Sequence, residues 1–284
     1  MSPPGSRVIT STSNPLAARV RKLRARKHRK AEGAFYVEGI RPVRAAIDRA
    51  AHIEILIVAE TLLTSAEASE VVEAQRAAGA AVADVSGRVF STLSERDHPS
   101  GLGAIVATNA RGLEDLEVTP SSLFVGLQSA GNPGNVGAIL RTLDAVGGSG
   151  LVLIGDGVDA FHPTAVKASM GSVFSVPVAR AASDAHSLEW AKRCGLRLVV
   201  TSAQAAVQYS SVRYPAPTLL MLGSEGGGLS STVMKRGELA VRIPMSGSAS
   251  SLNLAVAAGI LLYEIRRGRQ PDTLSEAEDR CEFS

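Results

Sequence analysis

This 284-residue sequence has little of what disulfides, metal sites or membrane spans require. Its only cysteines, Cys194 and Cys281, are too few and too isolated for a disulfide framework or a zinc site. Its five histidines show no metal-ligand spacing, so we expect no bound metal. No run reaches the roughly 20 apolar residues of a membrane span, and no apolar segment follows the first residues. We therefore expect a soluble cytoplasmic protein without a secretory signal.

The composition is typical of an α/β protein. Aromatic residues make up 4% of the chain and all apolar residues 45%, so Ala, Val, Leu and Ile must build the core. Apolar runs alternate with helical patterns, which predicts a mainly parallel sheet with its ligand site at the carboxyl ends of the strands. Asp184 is a candidate cap for a helix over Ser187–Cys194. The predicted C-terminal strands are Leu123–Leu127, Leu151–Ile154, Val176–Val178, Leu196–Thr201, Thr218–Leu222 and Leu239–Ile243.

The chain is long enough for two domains. We predict an N-terminal α/β domain over residues 1–110, followed by a polar linker over residues 111–121 that Gly and Pro interrupt. A second domain covers residues 122–270, where strands and helices alternate more clearly. Residues 271–284 are expected to form an acidic, frayed tail.

Positive charge is concentrated at the N-terminus. The first thirty residues contain nine Lys or Arg and no acid, so a net charge of +3 leaves the rest of the chain at −6. Such a run is typical of proteins that bind a polyanion, although a solvated tail is the alternative. Leu16, Val20 and Leu23 keep helical spacing, which favours an ordered amphipathic helix and nucleic-acid binding. The predicted RNA contacts are Arg19, Arg21, Lys22, Arg24, Arg26, Lys27, Arg29 and Lys30.

One apolar helix follows a loop of small and hydroxyl residues. It begins near Ser251-Leu252-Asn253 and stays apolar for ten residues before Glu264, which predicts a helix buried nearly all round. The exposed N–H groups at its start would suit a ligand. The alternative is a core helix capped by Ser, a favoured N-cap residue.

Two more loops follow predicted strands. Residues 132–142 read Asn-Pro-Gly-Asn-Val-Gly-Ala-Ile-Leu-Arg-Thr, where Asn135 is placed at a helix start and Arg141 lies in an apolar stretch. A surface arginine is the alternative interpretation of Arg141. Residues 222–229 read Leu-Gly-Ser-Glu-Gly-Gly-Gly-Leu, whose glycines let the backbone approach a flat ligand beside Glu225. No Lys-Ser/Thr pair follows, which excludes a P-loop, and the sequence has no Gly-x-Ser-x-Gly hydrolase motif.

Together these three loops resemble the three motifs of the SpoU (TrmH-like) RNA ribose 2′-O-methyltransferases. The third motif is carried by Ile-Pro-Met-Ser-Gly from residue 243 and by Ser-Leu-Asn at residues 251–253. Residues 120–268 carry the resemblance strongly, and residues 13–108 look like the small RNA-binding domain of the family, which resembles a ribosomal protein. The resemblance implies a parallel α/β fold with a C-terminal deep trefoil knot, an exception to the rule that chains avoid knots. It also implies bound S-adenosylmethionine and an active site completed across a homodimer interface.

By this resemblance Arg141 accepts the proton of the ribose hydroxyl or organises its attack, and the catalytic set comprises Asn135, Arg141, Glu225, Ser251 and Asn253. The pocket of the cofactor S-adenosylmethionine would be lined by Thr201, Ser202, Leu222, Gly223, Ile243, Met245, Ser251 and Leu252.

The sequence thus supports the hypothesis of an S-adenosylmethionine-dependent enzyme that methylates a ribose 2′-hydroxyl in structured RNA. The additional N-terminal domain favours 23S ribosomal RNA as the substrate. Two alternatives stay open: transfer RNA as the substrate, and a non-catalytic RNA-binding or ribosome-assembly factor with the same fold. The presence of all five predicted catalytic residues argues against a non-catalytic factor.

Overall fold

The computed structural model describes residues 8–269, and the predicted acidic tail lies outside them. The chain divides into two compact units. The first comprises the chain up to Ala110 together with Asn132–Arg141 and Val158–Val178, and the second comprises Arg111–Gly131, Thr142–Gly157 and the chain from Ala179 onward. The first unit thus includes two segments that we assign to the second domain from sequence. The domain boundaries at residues 110 and 122 remain a prediction.

The first unit is built on a four-stranded sheet. Its elements up to Ala110 are α1 (Pro15–Lys22), α2 (Arg26–Glu32), β1 (Ala34–Glu38), α3 (Ile40–Asp48), β2 (Ile53–Val58), α4 (Ala66–Ala77), β3 (Val82–Asp84), α5 (Gly87–Leu93) and β4 (Leu102–Ala107). The strand order is β1-β4-β2-β3, with β4 antiparallel to β1 and β2 and with β3 parallel to β2. β1 is therefore an edge strand. On one face of the sheet, Ile57 and Ile105 pack in one core cluster with Val20 of α1 and Phe90 of α5.

The basic run forms two helices, α1 and α2, instead of the single helix predicted. Leu23 follows α1 and is only 1% exposed, because its side chain packs into the core beside Val20. Arg29 donates to the carbonyl oxygens of Leu23 and Arg24 at 2.8 and 2.6 Å. These bonds satisfy acceptors that the break between the helices leaves unpaired.

The remaining elements run from residue 110 to residue 267. They are β5 (Ala110–Arg111), β6 (Leu123–Gln128), α6 (Pro133–Ala145), β7 (Gly150–Ile154), α7 (Pro163–Ser169), β8 (Val178–Ala181), α8 (Asp184–Arg193), β9 (Arg197–Thr201), β10 (Val207–Gln208), β11 (Thr218–Leu222), α9 (Ser231–Arg236), β12 (Leu239–Arg242) and α10 (Leu254–Arg267). The strand order is β10-β12-β9-β11-β6-β7-β8-β5, and the pairs from β10 through β7 are parallel. The prediction of an α/β fold with a parallel sheet is confirmed.

One strand lies later in the chain than predicted. The prediction placed it at Val176–Val178, whereas β8 begins at Val178. Residues Ser172–Phe174 form a short 3₁₀ turn, and the N–H of Val176 donates to the carbonyl oxygen of Ser172 at 2.9 Å. Because this hydrogen bond uses the N–H of Val176, that N–H cannot pair with a neighbouring strand, and β8 begins only after it.

The last helix, α10, is not buried all round in this chain. Leu254, Ala258 and Leu261 face the interior, but Val256 and Tyr263 are 51% and 59% exposed. The prediction that this helix is buried nearly all round is therefore wrong for the isolated chain. None of the helices within residues 8–269 has both the length and the apolar character needed to cross a membrane.

Candidate functional site

A cavity of about 500 Å³ opens within the second unit. Residues at the carboxyl ends of β9, β11 and β12 line it, which is the edge where a parallel sheet normally binds a ligand. Glu225 of the predicted catalytic set also lines this cavity. All eight residues of the predicted cofactor set do so: Thr201, Ser202, Leu222, Gly223, Ile243, Met245, Ser251 and Leu252.

The loop after β11 is held in a tight turn by its own backbone. The N–H of Gly228 donates to the carbonyl oxygen of Ser224 at 2.9 Å, and the N–H of Gly227 donates to the Ser224 hydroxyl at 3.2 Å. A Cβ on Gly223 would overlap the backbone of Gly228, so only glycine fits there. Gly228 itself has a φ of +64°, which other residues rarely adopt. The turn places Glu225 at an exposed position beside the cavity.

The loop before α10 ends in a cap made by Asn253. The Oδ1 atom of Asn253 accepts hydrogen bonds from the N–H groups of Ala255 and Val256 at 2.9 and 3.3 Å. The cap is therefore Asn253 and not the serine of the alternative interpretation. Ser251 and Leu252 precede the cap and line the cavity. Asn253 therefore caps α10 in addition to its predicted catalytic role.

Helix α6 carries the other two predicted catalytic residues. Asn132, and not Asn135, caps this helix, because the Oδ1 atom of Asn132 accepts from the N–H groups of Gly134 and Asn135 at 2.8 and 3.4 Å. Asn135 lies in the first turn and is only 7% exposed, whereas Arg141 is exposed. Both belong to the first unit, while Glu225, Ser251 and Asn253 belong to the second.

No sequence pattern predicts the polar network that lies beside the glycine-rich loop. The Oδ2 atom of Asp184 accepts from Gln128 Nε2 at 2.5 Å and from Ser230 Oγ at 2.7 Å, and the N–H of Ser230 donates to Gln128 Oε1 at 2.7 Å. These bonds tie the end of β6 to the start of α8 and to the segment that follows the glycines. The prediction that Asp184 caps this helix is wrong. The N-cap of α8 is Ser183, whose hydroxyl accepts a hydrogen bond from the N–H of His186.

The predicted RNA contacts differ sharply in exposure. Arg29 is 2% exposed, and its Nε donates to Asp159 Oδ2 at 2.9 Å. Its role is therefore structural, and the prediction that Arg29 contacts RNA at the surface is wrong. Arg19 pairs with Glu32 and Glu54, both at 2.7 Å, and the hydrogen bond to Glu32 raises the pKa of Arg19.

The other basic residues of the run remain at the surface to different degrees. Arg21 donates to the carbonyl oxygen of Thr12 at 2.7 Å. Arg24 lies 3.2 Å from the carboxylate of Glu95. The exposed members are Lys22, Arg24, Arg26, Lys27 and Lys30.

Two family models match the chain. The model of the SpoU rRNA methylase family matches residues 122–263, which include all three loops. The model of an MRM3-like substrate binding domain matches residues 14–104.

Individual proteins resemble nearly the whole chain. The 23S rRNA (uridine(2479)-2′-O)-methyltransferase of Streptomyces viridochromogenes is 33% identical over 272 residues, 94% of each chain. The 23S rRNA (guanosine(2553)-2′-O)-methyltransferase of Bacillus subtilis is 28% identical and spans 91% of this chain and 98% of its own. The crystal structure of an AdoMet-bound rRNA methyltransferase from Sinorhizobium meliloti superposes with a TM-score of 0.84 at 34% identity, covering 93% of this chain and 99% of the other.

Proposed function

Because the chain belongs to the SpoU rRNA methylase family, we propose that it transfers a methyl group from S-adenosylmethionine to a ribose 2′-hydroxyl in structured RNA. The observation that carries this proposal is the 500 Å³ cavity, which gathers the whole predicted cofactor set. We take 23S ribosomal RNA as the substrate, because two relatives that match more than nine-tenths of the chain are named for methylation of 23S rRNA.

The cavity suits S-adenosylmethionine in size and in lining. Its volume of about 500 Å³ lies within the range of roughly 300–1,000 Å³ that small-molecule sites occupy. Leu222 and Leu252 offer apolar walls, and Thr201 and Ser202 add hydroxyl groups. Because Gly223 has no side chain, its backbone can lie against the backbone of Gly228, and this loop forms part of the cavity wall. When bound, S-adenosylmethionine supplies an electrophilic methyl group.

The proposed catalytic residues orient the substrate. The guanidinium of Arg141 carries five donors and stays protonated at neutral pH. It would therefore hold the ribose hydroxyl and a neighbouring phosphate, and it orients the attacking oxygen more readily than it acts as a free base. Glu225 and Asn135 would maintain the geometry. Ser251 and Asn253 would bind the substrate phosphate or support the cofactor loop.

The active protein would be a homodimer whose interface includes α10. The exposed side chains Val256 and Tyr263 lie seven residues apart, so they share one face of this helix. Between them, a Cβ on Gly259 would meet no atom within 4 Å, which leaves room for a close neighbour. A second copy of α10 would cover this apolar face and complete the active site.

Three further properties rest on family membership. The C-terminal part of the chain would thread a deep trefoil knot. The N-terminal domain would bind the RNA substrate, since residues 14–104 match a substrate-binding domain model. The protein would act in the cytoplasm, where ribosomal RNA is modified.

The direct test is transfer of labelled methyl from S-adenosylmethionine to purified ribosomal RNA and transfer RNA in parallel. We expect label in ribosomal RNA at one linkage that resists alkaline hydrolysis, because a 2′-O-methyl group blocks that cleavage. Label in transfer RNA alone would keep the reaction and overturn the substrate. Absence of both labelling and cofactor binding would favour a non-catalytic RNA-binding factor.

Arg141 provides the sharpest test of the catalytic assignment. Arg141→Ala should abolish methyl transfer while the Kd for S-adenosylmethionine, measured by calorimetry, stays within a few-fold. Arg141→Lys should also be severely impaired, because an ammonium cannot reproduce the two-donor fork of a guanidinium. Turnover at the wild-type rate in either variant would remove Arg141 from the mechanism.

A further inference from the structure

A second cavity lies wholly within the first unit, and none of the residues that line it belongs to the proposed cofactor set. It measures about 200 Å³, less than the roughly 300 Å³ at which sites for drug-sized ligands begin. Its walls are the turn between α1 and α2, the edge strand β1, the segment after α5, and α7. A space of this size can take one small group, such as a nucleobase with its phosphate at the mouth.

Three cations, Arg24, Arg96 and Lys167, and two carboxylates, Glu38 and Glu95, line the cavity, which leaves a net charge of +1. Arg96 donates to a neutral acceptor, the carbonyl oxygen of Glu38, at 3.0 Å. Within residues 8–269, no carboxylate lies at ion-pair distance from Arg96 or Lys167. Arg24 is held by the carbonyl oxygen of Leu93 at 2.9 Å and by an ion pair with a neighbouring glutamate. The mouth of the cavity therefore favours an anion.

The cavity wall also contains a polar group that the fold leaves unpaired. The hydroxyl of Tyr36 is buried, and no hydrogen-bond partner for it occurs within the described part of the chain. Burial raises the pKa of Tyr36 and the charge of Glu38 adds to the rise, while the charges of Arg24 and Arg96 oppose it. Native proteins rarely leave such a group unsatisfied. A ligand, or a water that enters with it, would supply the missing partner.

Helix α7 connects this cavity to the helix that carries two proposed catalytic residues. Lys167 lines the cavity. On another face of α7, the backbone of Ala165 approaches Gly137 of α6 so closely that a Cβ on Gly137 would overlap it. Asn135 and Arg141 lie on α6 on either side of Gly137. The cavity and α6 are thus separated by one helix, a distance on the order of 10 Å.

We propose that this cavity binds one nucleotide of the substrate RNA that lies a few nucleotides from the methylated ribose. Arg96 and Lys167 contact its phosphate, and Leu23, Phe161 and Pro163 form the apolar floor against which its base packs. The inference rests on the proposed function for the identity of the RNA. It goes further because a nucleotide fixed here sets which ribose along the strand reaches α6.

The test compares three single variants of the full-length protein. Arg96→Ala and Lys167→Ala remove cations at the cavity, and Arg88→Ala removes an exposed arginine of the same unit that does not line it. Binding of a short fluorescent single-stranded oligoribonucleotide is measured over a range of salt concentrations. Each cavity variant should weaken binding about tenfold, the usual effect of one lost charge-assisted bond. Each should also lower the salt slope by about one, whereas Arg88→Ala should stay within about twofold of wild type.

The outcomes separate this inference from the proposed activity. If methyl transfer to ribosomal RNA proceeds but the cavity variants match Arg88→Ala in affinity and in KM for RNA, the cavity proposal is overturned and the activity stands. If no RNA is methylated but the variants still rank as expected, the activity fails and the nucleotide site stands. Photo-crosslinking with thiouridine-substituted RNA should label the peptides that contain Tyr36 or Phe161. Crosslinks confined to other peptides would contradict the site, and circular dichroism verifies that each variant is folded.

Discussion

The candidate cofactor site requires a glycine at position 223, because the backbone of Gly228 occupies the space of a Cβ there. Gly223→Ala would force a Cβ into the backbone of Gly228, so the loop that lines the cavity must shift. We expect S-adenosylmethionine binding to weaken at least about tenfold by calorimetry. Gly226→Ala is the matched control, because a Cβ there meets no atom within 4 Å. Equal cofactor affinities in the two variants, with both folded, would show that the loop does not shape the site.

Single residues also mark what sequence reasoning could not reach. The sequence predicts that the three loops act together because they resemble the three motifs of the SpoU family, whose model matches this part of the chain. Whether a given arginine faces solvent cannot be predicted from the sequence alone, since its exposure depends on residues that are distant in the chain. Arg29 lies near the end of the basic run but is buried against Asp159, which is 130 residues away in the chain. The network of Gln128, Asp184 and Ser230 was missed for the same reason.

The helix α10 combines a cap with a proposed catalytic group in one residue, Asn253. Asn253→Ala should lower the free energy of unfolding by about 1 kcal/mol, the usual cost of losing a cap. Asn253→Asp keeps an acceptor for the N–H groups of Ala255 and Val256, so its stability should match wild type in a urea titration. We expect methyl transfer to fall in both variants, because Asp lacks the amide donor. Full activity of Asn253→Asp would reduce the role of Asn253 to capping.

Among the elements, apolar patterning predicted strands better than helix ends. β6, β7, β9 and β11 are buried along most of their length. A continuous apolar run of this kind predicts a buried parallel strand from the sequence alone. The break after α1 was missed because it depends on Leu23 entering the core. The exposed face of α10 was missed because an apolar helix face that is exposed in the single chain has the same composition as one that is buried.

For the whole molecule, that exposed face leads to a prediction about assembly. Val256→Glu combined with Tyr263→Glu should convert a dimer into monomers, because two charges on each copy would have to be buried in the interface. Lys192→Ala, an exposed change on α8 and not on this helix, is the control and should stay dimeric. Sedimentation and methyl-transfer assays should show monomers that have lost activity. A wild-type protein that is monomeric and fully active would contradict a site shared between two copies.

The uneven charge of the whole chain gives a prediction about how RNA binds. Removing residues 1–30 would take away Ala17, Val20 and Leu23 from the core, so the loss of charge could not be told apart from unfolding. Replacing Lys22, Lys27 and Lys30 by Ala avoids this, because all three are exposed. If each contacts a phosphate, the slope of log affinity against log salt should become shallower by about three. An unchanged slope would mean that these lysines form a solvated face, and that phosphate contacts come from elsewhere in the first unit.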